Sequence, residues 1–411
     1  MTYLSFVLEN RRFLAFGFLM TFFSSFGQTF FISLFGAELR GAFDLGHGEF
    51  GTVYMLATLT SAALMIYAGQ LIDRLDLREY AAGVGVLISV ACLYMAWVPV
   101  ASVLFLYLAI LLLRLSGQGL MSHTSVTAMA RYFEAGRGRA IALSSLGFSS
   151  GEAVLPLTAV TLVAIVDWRM TWALAGTVMA IGLVPCILWL LKGHGQRHAA
   201  LQRRNAEPGE APDPVRHWSR AEVLRDGTFY SLLPAILAPS FILTGIIFHQ
   251  VHLVDEKGWT MTLFAGGFTF YAAAAVVCAF VTGALADRFT AERLLPFVLV
   301  PLGLGLVWLA LSDAPVTALG FMMLSGLTVG AYNIVGGAIW AEVYGHRHIG
   351  AIRAMTMSLM VVSSALAPAI MGWLIDVSVS MEAIALGCVA WVAAGSLLAA
   401  TVVGRRRLAR A

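Results

Sequence analysis

Charge is scarce in this chain of 411 residues, of which 12% are charged and 59% hydrophobic, at a mean hydropathy of +0.83. So little charge cannot cover a water-facing surface, which excludes a cytosolic enzyme, a secreted domain and a DNA-binding module. Cysteine is equally sparse: Cys92, Cys186, Cys278 and Cys388 lie inside apolar runs, with no CxxC pair and no histidine at metal spacing. They read as packing residues, and neither a disulfide framework nor a bound metal is expected. The chain has no Asn-x-Ser/Thr sequon, which is compatible with a bacterial origin, and no Gly-x-x-x-x-Gly-Lys-Ser/Thr loop, which disfavours coupling to ATP hydrolysis. No nucleophile–base pair or metal cluster is recognisable either, so an enzyme is not expected and no cofactor is implied.

What is abundant is apolar sequence in runs of about 20 residues, the length that a hydrocarbon core roughly 30 Å thick demands of helices rising about 1.5 Å per residue. Six such runs occupy about 13–36, 50–71, 80–98, 102–130, 139–165 and 170–191. Six more occupy about 228–253, 261–286, 294–312, 316–343, 351–375 and 382–403. The first is too long for a signal-peptide core and has no small-residue cleavage site before Glu38 and Arg40, so it is expected to be retained. The pattern predicts an all-α membrane protein with twelve transmembrane helices in two pseudo-symmetric six-helix bundles. Residues 1–191 form the N-terminal bundle, 192–226 a charged linker containing Pro208, Pro212 and Pro214, and 227–411 the C-terminal bundle with a basic tail.

Lys and Arg placement orients the chain, because cytoplasmic loops hold an excess of positive charge. With a cytoplasmic N-terminus, all 26 Lys and Arg fall on the cytoplasmic side except Arg40, Arg169, Lys257 and the intramembrane Arg114. Both termini and the linker are therefore expected in the cytoplasm, in a plasma membrane that would be the bacterial inner membrane. The tail arginines Arg405, Arg406, Arg407 and Arg410 would hold the last helix against anionic lipid. The halves also repeat: Gly69-Gln-Leu-Ile-Asp73-Arg74 follows the second run, and Gly283-Ala-Leu-Ala-Asp287-Arg288 follows the eighth. Gly would let two helix ends approach, while Asp and Arg could pair or cap a terminus. A duplicated bundle of this kind points to a transporter whose substrate sits near the midplane between the repeats.

These paired loops, conformational gating elements in this reading, resemble the signature loop of the major facilitator superfamily. Arg114-Leu-Ser-Gly-Gln-Gly119 in the fourth helix and Asp167-Trp168-Arg169 before the sixth extend the resemblance over nearly the whole chain. Asp76 stands where the family pattern usually has a second Gly. Arg131-Tyr-Phe133, Arg137-Gly138-Arg139-Ala140, Gly147-x-x-x-Gly151 with Pro156, and Ser25-Phe26-Gly27 are similar to the monocarboxylate and oxalate/formate branch. That branch's charged anion-binding residues are not carried over. Ile32 occupies the place of its first-helix Lys, the run Phe268 to Gly283 has no charge, and the eleventh helix has no Lys.

Two charges lie deep, Arg114 in the fourth helix and Glu152 in the fifth, each about 13 residues or roughly 20 Å from its end of the membrane. A charge at the bilayer centre costs at least about 2.5 kcal/mol, so it pairs or faces a watery cavity. Two readings stand: a switch in which an anion occupies Arg114 when Glu152 is protonated, or a permanent ion pair joining the two helices. Ser24 and Gln28, four apart in the first helix, share a face, and Gln28, Tyr271, Tyr332 and Asn333 could hydrogen-bond a ligand or another helix. His249 and His252, on one face of the seventh helix, are candidates for a periplasmic proton role or for interface packing; two histidines make an incomplete metal site. His123, half a turn from Arg114, reads as a helix contact. Gly326-x-x-x-Gly330, continuing to Gly336-Gly337, would allow a close helix crossing or a bending point.

The function expected is secondary active transport of a small organic solute, an anion such as a carboxylate, by alternating access coupled to protons. Arg114, Gln28, Tyr271, Tyr332 and Asn333 would bind the substrate, and Glu152, Arg114, His249 and His252 would couple protons. Partners are the substrate, protons and the bilayer, without nucleic acid, and the chain would be a monomer. Proton-driven efflux of an amphipathic compound is the alternative, although the Gly-Pro motif of drug antiporters is missing between Gly147 and Pro156. A transporter-like membrane sensor is the alternative of another class.

Overall fold

A computed structural model of the chain describes residues 3–133, 136–195, 197, 220–345 and 349–410; most of the expected linker, with its prolines, lies outside them. Among the described residues the regular structure is all helical, because in hydrocarbon each backbone polar group must be satisfied within its own segment. Among the described residues eleven helices are long and apolar enough to cross a membrane, and a bent pair counted as one span brings the crossings to twelve. In chain order the bent pair is α1 (Ser5–Gly27 with Thr29–Phe43), followed by α2 (His47–Asp73), α3 (Leu77–Ala96), α4 (Val103–Tyr132), α5 (Arg137–Val166) and α6 (Trp168–Leu190). The second set is α7 (Gly227–Phe248), α8 (Met261–Phe289), α9 (Ala291–Leu311), α10 (Pro315–Tyr344), α11 (Ile352–Asp376) and α12 (Met381–Arg405).

Two expected continuous helices are broken. In α1 the chain bends by 47° at Gln28, whose extended backbone (φ −83°, ψ 153°) interrupts the hydrogen-bond ladder. Ser24 and Gln28 therefore do not share a helical face, since the turn between them is 3-10 and then extended. The seventh run ends as α7 at Phe248, and after His249 a separate short helix spans Gln250–Glu256.

The chain divides into two compact units, one of residues 1–44 with 56–212, the other of residues 45–55 with 213–411. In the first unit α1 packs on α5 and α4, and α3 packs on α6. In the second, α8 packs on α10, α7 on α11 and α12, and α9 on α10 and α12. Glycines set the closest crossings. A Cβ at Gly147 would lie 2.3 Å from the Phe18 carbonyl, and one at Gly151 2.2 Å from the Ser25 hydroxyl, so this motif seats α5 on α1.

Carboxylates cap helix N-termini, satisfying N–H groups that have no intrahelical partner. Asp76, the departure from the family pattern, accepts from the Arg78 N–H at 2.8 Å and starts α3. Glu342, at the end of α10, accepts from the N–H groups of Ala291 and Glu292 at 2.9 Å each and starts α9. Within the second unit, Asp376 at the end of α11 accepts from His47 N–H at 2.9 Å and Gly48 N–H at 2.8 Å, starting α2. Arginines do the converse at C-termini. Arg169 donates to the carbonyls of Ala96 at 3.0 Å and Val98 at 3.4 Å, which gives the Asp167-Trp168-Arg169 motif its structural use at the end of α3.

Candidate functional site

In the first unit the chain builds an unusual place for Arg114. Residues Arg114–Met121 form a π-helical stretch inside α4, a widened turn of the kind that recurs at functional sites. Arg114 is 2% exposed, its Nε donating to Thr58 Oγ1 at 3.2 Å and its Nη1 to the Gly27 carbonyl at 3.0 Å. The break in α1 explains the second bond. Phe31 N–H turns to the Gln28 carbonyl, which frees Gly27 O, and the guanidinium takes it up. Gly27 and Gly117 let the two backbones meet, since a Cβ on Gly117 would stand 2.6 Å from Gly27 N.

Glu152, one residue past Gly151 on α5, is half-buried, and no ion pair joins it to Arg114 among the described residues. The two deep charges are thus held separately. Gln28 is half-buried at the break itself. Ser24 is buried and donates to the Thr21 carbonyl at 2.6 Å, a local helix bond. His123 faces the 3-10 end of α2, where its Nε2 would lie 3.5 Å from a Cβ on Gly69.

In the second unit a cavity of about 230 Å³ lies between α10 and α11, lined by Tyr332, Asn333, Gly336, Gly337, Arg353 and Thr356 together with Trp340, Met357 and Met360. Two of the expected binding residues, Tyr332 and Asn333, meet there. Tyr332 is 8% exposed and donates to Met360 Sδ at 3.2 Å. The glycine pair makes the room: a Cβ on Gly336 would sit 3.2 Å from the Tyr332 ring, and one on Gly337 3.6 Å from the Arg353 guanidinium. Arg353 is the one formally charged group in the lining. Sequence reasoning assigned it only to topology; its place at the first turn of α11, opposite Gly336-Gly337, is visible only once α10 and α11 are packed. Tyr271 is not part of this lining. It is buried on α8 where Gly326 crosses, and a Cβ on Gly326 would stand 2.2 Å from its carbonyl.

At the other end of the second unit the two expected histidines meet a third. His249 is 4% exposed with Nε2 2.9 Å from the Pro368 carbonyl. The His47 ring lies 5.7 Å from His249 and 4.6 Å from His252, centroid to centroid. His252 Nε2 is 3.3 Å from Glu256, whose other oxygen accepts from Met381 N–H at 2.9 Å. His47, the first residue of α2 but ahead of the apolar run read from the sequence at about 50–71, carried no signal that would link it to the seventh helix.

Next to this group Lys257, with a side chain 1% exposed, is held by Asp313 at 2.6 Å and Glu382 at 2.7 Å. Burial alone would lower the Lys257 pKa, but hydrogen bonds and attraction from Asp313 and Glu382 outweigh it, leaving it above the ordinary 10.5. A raised cationic pKa contributes stability that is complete below the unfolded value and lost as pH rises through the folded one. Lys257→Met is therefore expected to cost about 1–3 kcal/mol, less than a fully buried pair because Asp313 is 75% exposed. Thermal unfolding of the detergent-solubilised protein checks this: the midpoint gap between wild type and variant should persist at neutral pH and shrink in strong alkali.

The repeated loops differ in detail. Gly69–Asp73 is a 3-10 segment ending α2, and Asp73 pairs with Arg131 at 3.1 Å instead of with its neighbour Arg74. In the second loop α8 continues as helix through Gly283 and Asp287, and Arg288 lies 5.2 Å over the Phe289 ring. A Cβ at Gly283 would meet nothing within 4 Å, and one at Gly69 only side-chain atoms at 3.2 Å or beyond. Neither glycine is at a close backbone approach, in contrast to the sequence expectation.

No functionally curated protein matches the chain. Solved structures share its fold. A bacterial homolog of the human lysosomal transporter Spinster, inward-facing and occupied, is 18% identical over 98% of this chain and 94% of its own, with a TM-score of 0.62. The same homolog in the unoccupied state is 16% identical over 96% of this chain and 94% of its own, at 0.64. The nucleoside transporter NupG, in a point-mutant form, is 12% identical over 96% of this chain and 99% of its own, at 0.66. The profile of the Major Facilitator Superfamily matches residues 17–268 and 233–410, and with twelve crossings in the same fold the chain belongs to that superfamily of membrane transporters.

Proposed function

We propose that this transporter moves a small organic anion, such as a carboxylate, by alternating access coupled to protons, in a bacterial inner membrane with both termini cytoplasmic. The observation that carries the reading is the α10–α11 cavity, which offers one cation, Arg353, beside the neutral hydrogen-bonding groups of Tyr332, Asn333 and Thr356. At about 230 Å³ it has room for roughly eight waters or one small solute. A single positive charge with polar neighbours favours a ligand of one negative charge, held by charge-assisted hydrogen bonds. The similarity of the arginine-rich motifs to the monocarboxylate and oxalate/formate branch supports the same class. Arg114, buried in the first unit and bonded to Thr58 and the Gly27 carbonyl, is the second cation this reading assigns to the anion, and Glu152 is the carboxylate it assigns to the proton.

The test is counterflow of labelled carboxylates, nucleosides and cations in liposomes, with and without a pH gradient. A saturable carboxylate flux that Arg353→Ala lowers by at least about tenfold, the loss of one charged hydrogen bond, is the expected result. Flux confined to neutral or cationic solutes would overturn the anion reading. For coupling, Glu152→Gln should leave exchange at equal pH intact while abolishing stimulation by the gradient; a variant with unaltered gradient dependence would remove Glu152 from proton transfer.

A second reading, efflux of an amphipathic compound, is favoured by one feature. A wholly apolar cavity of about 200 Å³ lies between α1, α5 and α6, lined by Phe23, Phe26 and Phe31 with Leu155 and Leu174 among others. Transport of a hydrophobic cation that a Phe26→Ala variant slows, in liposomes where carboxylates do not move, would favour it.

A further inference from the structure

At the end of the first unit where α1 begins and α6 finishes, a small pocket of about 90 Å³ is bordered by Arg12, Lys192, His194 and Arg197 over a floor that includes Phe13. It contains no carboxylate among its described lining residues. Aromatic rings hold two of its cations, Arg12 and Arg197, in place. Arg12 donates to the Trp189 carbonyl and lies 5.0 Å over the Trp189 ring. Arg197 lies 4.5 Å over Phe13 and 5.9 Å over Phe133. His194 stacks on Phe13 at 5.7 Å and meets Tyr132 edge-on at 4.6 Å.

Part of this positive charge answers α6 itself. The last carbonyls of the helix are capped here: Lys192 N–H donates to Trp189 O at 3.2 Å beside Arg12, and Arg78 donates to Leu188 O at 3.1 Å. A helix C-terminus presents only about half a negative charge, however, against the three full positive charges of Arg12, Lys192 and Arg197. Arg12 spends one Nη on Trp189 O, and a guanidinium has five N–H donors in its fork. A surplus of cationic donors around a space of phosphate size calls for an anion. Depth selects which one: Trp189, 60% exposed at the end of an apolar crossing, marks the aromatic belt at the level of lipid headgroups. Basic pockets at such an end of a helical bundle suit anionic headgroups.

We infer that this pocket between the start of α1 and the end of α6 binds the phosphoryl group of an anionic phospholipid. Arg12 and Arg197 supply planar forks to the phosphoryl oxygens and Lys192 a mobile point charge. Its lining shares no residue with that of the α10–α11 cavity.

The experiment is native mass spectrometry of the purified full chain titrated with phosphatidylglycerol, with phosphatidylcholine and with inorganic phosphate. The variants are Lys192→Glu/Arg197→Glu and the milder Lys192→Gln/Arg197→Gln, against a control, Arg225→Ala/Arg293→Ala, at exposed positions of the second unit. Phosphatidylglycerol should bind wild type and control alike, and both pocket variants at least about tenfold more weakly, while phosphatidylcholine binds weakly throughout. Should the charge reversal fail to fold, the Gln pair gives the same comparison. Displacement of the lipid by millimolar phosphate, lost in the variants, would support the phosphoryl pocket and identify the soluble ion as a rival source. Equal phosphatidylglycerol affinity in wild type and a folded pocket variant, or phosphatidylcholine binding as tightly as phosphatidylglycerol, would overturn the inference.

Discussion

Replacing Arg114 by Ala is expected to lower counterflow at least about hundredfold, the largest functional effect of any single substitution in the chain. Two losses combine. The variant removes a buried cation, and it strands the Gly27 carbonyl that the break in α1 has already deprived of its helical partner. An orphaned buried carbonyl costs about 1–3 kcal/mol, and the lost bond to Thr58 adds to it. Arg114→Lys separates binding from architecture, because Lys keeps the charge but cannot span Thr58 and Gly27 with one planar fork. If the charge serves the substrate, the Lys variant should retain flux at raised KM while the Ala variant has none. If Arg114 only ties α4 to the break in α1, both variants should lose thermal stability together and neither should shift KM. A folded Arg114→Ala protein with wild-type flux would dismiss the residue from both roles.

Gly330→Val is expected to give the largest loss of stability, with Gly326→Val close behind. A Cβ at Gly330 would stand 2.2 Å from the Ala275 carbonyl, and at Gly326 2.2 Å from that of Tyr271. The obstacles are backbone atoms of α8, which cannot rotate aside as a side chain would, so the crossing of α8 and α10 must open. Overpacking of this kind costs typically about 1–3 kcal/mol, and more where backbone must shift. Because both positions load the same crossing, the double variant should fall short of the sum of the singles. Thermal midpoints and the monodisperse yield after solubilisation check this. Gly283→Ala provides the contrast. Its Cβ meets open space, and Ala is favoured over Gly within a helix by about 1 kcal/mol. Its midpoint should stay level or rise. A Gly283→Ala protein that is stable but slow in transport would mark the loop as a gating element, whereas wild-type flux would leave its glycine without a role.

The number and limits of the helices were legible in the sequence because solvent writes them directly. Hydrocarbon requires long apolar runs, and the expected and observed crossings agree within a few residues at most ends. Gly326-x-x-x-Gly330 could likewise be read as a close crossing, since small residues at helical spacing have few other uses in a membrane. The breaks were less legible. Gln28 bends α1 because Gly27 must meet Gly117, and π-helical Arg114 must reach the freed carbonyl; nothing local in Ser25-Phe26-Gly27-Gln28 states this.

What the sequence by itself determined is a polytopic all-helical membrane protein, because composition and period report each segment's exchange with solvent. Tertiary structure alone decided which side chains meet. It held Arg114 apart from Glu152, gathered His47 with His249 and His252, and set Arg353 beside Tyr332 and Asn333. Such meetings depend on the rotation and crossing point of each helix, and those follow from packing against neighbours far away in the chain.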